Sequence, residues 1–202
     1  MGKARIAVLV SGGGTNLQAL IDAQKQGVIK SGAIALVISN NPEAYALQRA
    51  ADAQIPAEIV TKKQAGSQEL FENRIKELLN QYEIDLIVLA GFMSILSESF
   101  TKDYPERILN VHPSLIPSFC GKGYYGLRVH EEALRYGVKV TGATVHFVNE
   151  IPDGGRILLQ KAVEVREDDT PEILQRRVME QAEWNILPAA TQMVCQSLIK
   201  RG

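Results

Sequence analysis

RIAVLVSGGGTNLQALIDAQKQ, residues 5–26, changes periodicity at a run of three glycines. Arg5–Val10 is a continuous apolar run, Ser11-Gly12-Gly13-Gly14 is a turn, and Thr15–Gln26 is amphipathic with helical spacing. A strand that does not alternate is buried on both faces, which is the condition of a parallel sheet covered by helices. The same rhythm recurs downstream. Ala33–Ser39, Ala57–Val60, Asp85–Ala90 and Arg107–Val111 read as strands, and Pro42–Ala53 and Gln68–Tyr82 read as helices between them. Right-handed crossovers then give an α/β, doubly wound, mostly parallel sheet. After a Pro/Gly-rich passage, Pro113–Gly126, a helix is expected over Leu127–Tyr136. Lys139–Asn149 and Arg156–Val165 form a C-terminal hairpin through the turn Glu150–Gly155. A closing helix spans Pro171–Ile199, with a break or kink near Leu187 imposed by Pro188.

At 202 residues and 46% hydrophobic, the chain is of a size to bury one core, so residues 1–202 are expected to form a single domain. Lys+Arg number 22 and Asp+Glu 23, which leaves no overall field to attract nucleic acid or an anionic membrane surface. An anionic ligand must therefore be held locally. No export signal or membrane span is evident, and Cys120 and Cys195 stand far apart without metal spacing. These features lead to the expectation of a cytoplasmic protein with small-molecule partners, and they carry no signal for oligomeric state.

Three segments can carry chemistry. Ser11–Asn16 opens a helix, where backbone N–H groups and the helix dipole favour a phosphate. Leu17 occupies the place of the third glycine of a dinucleotide fingerprint and no Gly-Lys-Ser/Thr follows, so a monophosphate fits better. The plainer reading is a βα turn capped by Thr15 or Asn16. Asn110-Val111-His112-Pro113-Ser114 ends a strand, and alternation puts Asn110 and His112 on one side, an amide and an imidazole suited to carbonyl chemistry. Its plainer reading is a strand-end histidine bonded to a backbone carbonyl. Asp153-Gly154-Gly155 is either a simple hairpin turn or a carboxylate brought to His112, where it would favour the imidazolium and raise the histidine pKa. Thr144 and His146 share a face of the preceding strand, and His146 suits a buried polar network. His130 reads as a structural or solvated residue on a surface helix. Leu89–Leu96 runs from a strand into a loop as an apolar wall suited to a flat heteroaromatic ligand, or as core.

Taken in order, SGGGTNLQALIDA, LAGFMSILS, ILNVHPSLIP, TGATVHFVNE and IPDGG resemble the glycinamide ribonucleotide formyltransferases of purine biosynthesis over nearly the whole chain. The resemblance implies a Rossmann-like formyltransferase fold with a nucleotide-binding half, residues 1–110, and a catalytic and folate half, residues 111–202. It implies 10-formyltetrahydrofolate as cosubstrate and no metal. Gly14, Thr15 and Asn16 match the loop that holds the ribonucleotide phosphate, and Glu183 matches a glutamate contacting the same substrate. Met93, Ser94, Ile95 and Leu96, with Asn110 and the turn Asn149, Glu150, Ile151, Pro152 and Asp153, match the pterin site. Asn110, His112 and Asp153 match the catalytic trio. Ser94 and Gln68 stand where relatives often carry arginine, which leaves Lys62 or Lys63 for the folate tail. Trp184 replaces a histidine common beside the glutamate, and the loop Cys120–Gly126 is longer than in many relatives.

Other acceptors use the same Asn-x-His chemistry. A transferase acting on initiator methionyl-tRNA carries a further C-terminal domain, and a hydrolase passing the formyl group to water carries a regulatory domain. Neither is expected in a chain that stops at Gly202 without basic excess. A non-catalytic nucleotide sensor on this fold would have no use for the Asn110, His112 and Asp153 set.

Overall fold

The computed structural model describes residues 2–201. Its centre is a seven-stranded sheet of order β3-β2-β1-β4-β5-β6-β7, in which β1 is Ala4–Val10, β2 Gly32–Ser39, β3 Ala57–Ile59, β4 Leu86–Leu89, β5 Ile108–His112, β6 Val140–Phe147 and β7 Ile157–Glu164. The first five run parallel, and β6 and β7 are antiparallel additions, as the hairpin reading requires.

Strand β1 shows why the sheet is covered on both sides. Ile6, Val8 and Val10 belong to a core shared with α1 (Thr15–Lys25), α2 (Tyr45–Asp52), α7 (Pro171–Val178) and α8 (Trp184–Arg201). Ala7 and Leu9 point the other way, into a second core with Phe71, Ile75, Leu78 and Leu79 of α4 (Gln68–Gln81) and Phe100 of α5 (Glu98–Asp103). Both faces of the strand thus lose water, and burying one such aliphatic side chain is worth about 1.5–3 kcal/mol.

Several expected boundaries move, each for a local reason. Helix α2 begins at Tyr45 rather than Pro42, because the Asn41 side chain accepts from Glu43 N–H at 3.0 Å and turns the chain there. Two short helices are additional: α3 (Lys62–Ala65), capped by Thr61, and α5, capped by Ser97. The closing helix is interrupted earlier than expected. Met179–Glu183 forms a π-helical turn, and α8 then runs through Pro188. Pro188 has no N–H for the carbonyl of Trp184, and the widened turn lies directly ahead of that carbonyl, so the irregularity is taken up before the proline. Helix α6 (Leu127–Tyr136) has the expected bounds, but His130 is fully buried rather than solvated.

Candidate functional site

Loops at the carboxyl ends of β1, β2 and β4 interlock beside the point where strand order reverses, the usual ligand position in an open α/β sheet. Ser11 Oγ accepts from Met93 N–H at 2.8 Å, and Asn40 Nδ2 donates to Ser94 Oγ at 2.8 Å. The phosphate-loop candidate and the apolar wall are therefore one structure. Within the wall, Met93 and Ile95 expose 56% and 69% of their surface, so they are available to a ligand. Leu96 differs from expectation: it is buried in the core against α4 and α5. The wall is fastened from below, where buried Glu72 accepts from both the N–H and the hydroxyl of Ser97, and Gln68 Nε2 donates to Glu72 and to the Ile95 carbonyl. Gln68 is thus occupied in holding the loop. Lys62 lies with its ammonium 5.8 Å from the Phe71 ring centre.

Gly14 is the N-cap of α1, with φ +70°, and no side chain caps the helix. A Cβ on Gly14 would lie 2.7 Å from Ala46 Cβ, so the position needs glycine for conformation and for space. Thr15 and Asn16, the alternative caps, are turned to the closing helix instead. Thr15 Oγ1 donates to Met179 Sδ at 3.8 Å, and Asn16 Nδ2 donates to Glu183 Oε2 at 2.6 Å. Both Asn16 and Glu183 are buried, and Asn16 Oδ1 has no partner among the described residues. Burial pushes the Glu183 carboxyl up to about 6, and the bond from Asn16 works against that rise. The structure therefore joins Thr15 to Met179 and Asn16 to Glu183 across more than 160 residues of sequence.

The second cluster lies on β5 and β6. Asn110 is directly opposite His146 and His112 opposite Thr144. The His146 Nδ1–H donates to its neighbour's carbonyl, Phe147 O, at 2.8 Å, so Nε2 is left to accept from Asn110 Nδ2 at 3.2 Å. This spends one N–H of the Asn110 amide and keeps the other. The turn after β6 folds back over these side chains, bringing Asp153 Oδ1 to 3.6 Å from His146 Nε2 and Oδ2 to 3.5 Å from His112 Nδ1. Asn149 Oδ1 shapes that turn by accepting from Ile151 N–H at 3.0 Å. Gly155 passes so close to β6 that a Cβ would stand 1.7 Å from Phe147 O. Glu150, Ile151 and Pro152 form the exposed tip.

The loop after β5 closes over this cluster. His112 Nε2 donates to Phe119 O at 2.8 Å, and Gly121 N–H donates to Asp153 Oδ2 at 2.8 Å. Phe119 and Asp153 both hold positive φ, 48° and 56°, a left-handed conformation costing about 1–3 kcal/mol in a non-glycine residue. Both strained residues touch His112. Burial acts on Asp153 to raise its pKa, but the His146 ring, the charge of His112 and the Gly121 N–H together bring it below the usual carboxylate range. For His112 the nearby carboxylate acts in the expected direction, but burial acts against it and is the larger effect. Burial thus lowers its pKa from the usual 6.5, and the resting ring is neutral at pH 7. His130 lies near, with both ring nitrogens buried and unpartnered among the described residues, and burial with the charge of His112 lowers it to about 4.

The loop contacts from Phe119 and Gly121 use main-chain atoms and leave no side-chain signature in sequence. Among the described residues no group of three His, Cys, Asp or Glu side chains is arranged to hold a metal, and no helix is long and apolar enough to cross a membrane.

The profile of the formyl transferase family matches residues 4–191. A phosphoribosylglycinamide formyltransferase of Haemophilus influenzae is 45% identical over 184 residues, covering 91% of this chain and 84% of that protein. The human trifunctional purine biosynthetic protein adenosine-3 is 44% identical over 200 residues, covering 99% of this chain, although the chain spans only 19% of that much longer protein. Among solved structures, glycinamide ribonucleotide transformylase 1 from Symbiobacterium toebii superposes with a TM-score of 0.90 at 42% identity, covering 96% of this chain and 89% of that one.

Proposed function

The chain belongs to the formyl transferase family, and from that premise we propose that it transfers the formyl group of 10-formyltetrahydrofolate to the primary amine of glycinamide ribonucleotide. The products are formylglycinamide ribonucleotide and tetrahydrofolate, a step of purine biosynthesis in the cytoplasm. The observation that supports this reading best is the unbroken series of contacts from Asn110 through His146 and Asp153 to His112.

Residues 1–110 supply most of the nucleotide half. Gly14, Thr15 and Asn16 receive the phosphate, and the unpartnered Asn16 Oδ1 and the Glu183 carboxyl accept from ribose hydroxyls. Residues 111–202, joined by Asn110 and by Met93–Leu96, supply most of the catalytic and folate half. The exposed side chains of Met93 and Ile95, the Ser94 and Leu96 backbone, and the turn Asn149–Asp153 embrace the pterin.

Attack of the neutral amine on the formyl carbon forms a tetrahedral intermediate with an oxyanion. The free N–H of Asn110 donates to that oxygen, and its amide is already oriented by His146, so little reorganisation accompanies the charge. His112 is neutral before reaction, which equips Nδ1 to take a proton from the attacking nitrogen. The imidazolium so formed stands beside the oxyanion and is stabilised by Asp153. Return of that proton to the departing folate nitrogen completes the transfer. Holding both substrates in attack geometry contributes the remaining acceleration.

The test is to incubate the chain with 10-formyltetrahydrofolate and glycinamide ribonucleotide and to measure formylated ribonucleotide. Formylation of methionyl-tRNA alone, or release of formate without an acceptor, overturns the proposal.

A further inference from the structure

The carbonyls of the glycine loop all turn to the same side. Ser11 O accepts from Asn41 Nδ2 at 3.2 Å, Gly12 O from Ala46 N–H at 3.0 Å, and Gly13 O from Arg49 Nε at 2.8 Å. In a planar trans peptide the carbonyl and the following N–H point in opposite directions. Three carbonyls held against residues 41–49 therefore send the N–H groups of Gly12, Gly13 and Gly14 the other way, where they meet no acceptor among the described residues. The arrangement leaves three successive donors with no protein partner, and two residues further on is the buried, unpartnered Asn16 Oδ1.

We propose that Arg49 is a positioning residue for the acceptor's phosphate. It orients the Gly13–Gly14 peptide and supplies the positive charge next to the phosphate loop. The inference rests on the assignment of that loop to the ribonucleotide. Arg49 Nη1 also donates to Gln18 Oε1 at 3.0 Å, and the guanidinium lies 5.1 Å from the Tyr45 ring centre, so the side chain is fixed at three points. Its approach depends on Gly14, where a Cβ would stand 3.3 Å from Arg49 Cδ. The chain has a formal net charge of only −1 and offers no general attraction for an anion, so a local cation has a clear task. Lysine cannot reproduce the arrangement, because a single ammonium lacks the planar fork that reaches Gly13 and Gln18 together.

Arg49→Gln and Arg49→Lys test this in the full chain, with each substrate varied at saturation of the other and inorganic phosphate used as a competitor of the ribonucleotide. Arg49→Gln is expected to raise the ribonucleotide KM about tenfold and to weaken inhibition by phosphate by the same factor, with the folate KM and kcat changed by less than about twofold. Arg49→Lys keeps the charge but not the fork and should raise the ribonucleotide KM by an intermediate factor, about three- to fivefold over the parent. Equal rises in both KM values, or a folded Arg49→Gln chain with unchanged ribonucleotide KM and phosphate inhibition, overturn the proposal. If Arg49→Gln does not fold, an unchanged ribonucleotide KM in Arg49→Lys overturns it and a rise confined to that substrate supports it. A parent chain that formylates no ribonucleotide contradicts the proposed function itself, before any variant is made.

Discussion

On the proposed function, the loop after β1 and the turn after β6 serve one site with different materials. The first offers backbone: unpartnered N–H groups of three glycines, a helix start, and carbonyls tied back to residues 41–49. The second offers side chains, with Asp153 held between two histidines and in a strained conformation. Backbone donors suit a ligand whose charge is the same before and after reaction, as a phosphate's is. Side chains with shifted pKa values suit the place where charge moves. On that reading binding falls to one loop and chemistry to the other, and substitutions can separate the two.

The largest effect should come from the turn. Asp153→Asn removes the carboxylate that stabilises the imidazolium, and kcat should fall by about 10²–10⁴ with both KM values changed only a few-fold. The acid limb of the kcat profile should also move to lower pH, since the carboxylate raises the His112 pKa and its loss leaves burial unopposed. A limb that stays in place in steady-state measurements would remove the tuning role. In the other loop, two neighbouring glycines should behave differently. Gly14→Ala brings a methyl group against Ala46 at positive φ and should raise the ribonucleotide KM about tenfold, whereas nothing lies within 4 Å of a Cβ on Gly13, so Gly13→Ala should change it less than about twofold. Equal effects would show that the loop is not held as described.

A smaller effect separates the loops by pH. The Glu183 carboxyl has a folded pKa of about 6, raised from 4.5, so the folded chain binds a proton more tightly than the unfolded one. Its contribution to stability therefore declines as pH rises from about 4.5 through about 6, and Glu183→Gln should gain roughly 2 kcal/mol at pH 8 in denaturant unfolding. The same substitution should remove any rise in ribonucleotide KM as pH falls below about 6, and a parent KM that is flat there would exclude the ionised carboxylate from substrate binding.

The fold was legible because two-sided burial leaves a plain mark: RIAVLV, AIALVIS and LIVLA do not alternate, and the helices between them carry an apolar stripe at helical spacing. Helices α3 and α5 were not, since each is a few residues long and depends on a capping Thr61 or Ser97 more than on periodicity. The π turn at Met179–Glu183 was hidden behind Pro188, the more conspicuous residue. In the site, the side chains were readable and their environment was not. His130 lies among Arg128, Glu131 and Glu132, which suggest a wet face, yet it shares the inner stripe of α6 with Val129 and Ala133. The direction of the His112 shift depends on how far burial outweighs Asp153, a balance that exists only once β5, β6 and the loop around Phe119 have closed. Arg49 gave no signal because its partner is the carbonyl of a glycine.

Single-turnover formyl transfer with both substrates at saturation tests the division between the two loops most directly, with Gly14→Ala and His112→Ala compared in the same experiment. The expected result is that Gly14→Ala regains the parent rate within about threefold once ribonucleotide is raised, while His112→Ala stays slower by about 10²–10⁴ at every concentration. Recovery of both variants at high ribonucleotide, or equal slowness of both, would contradict it.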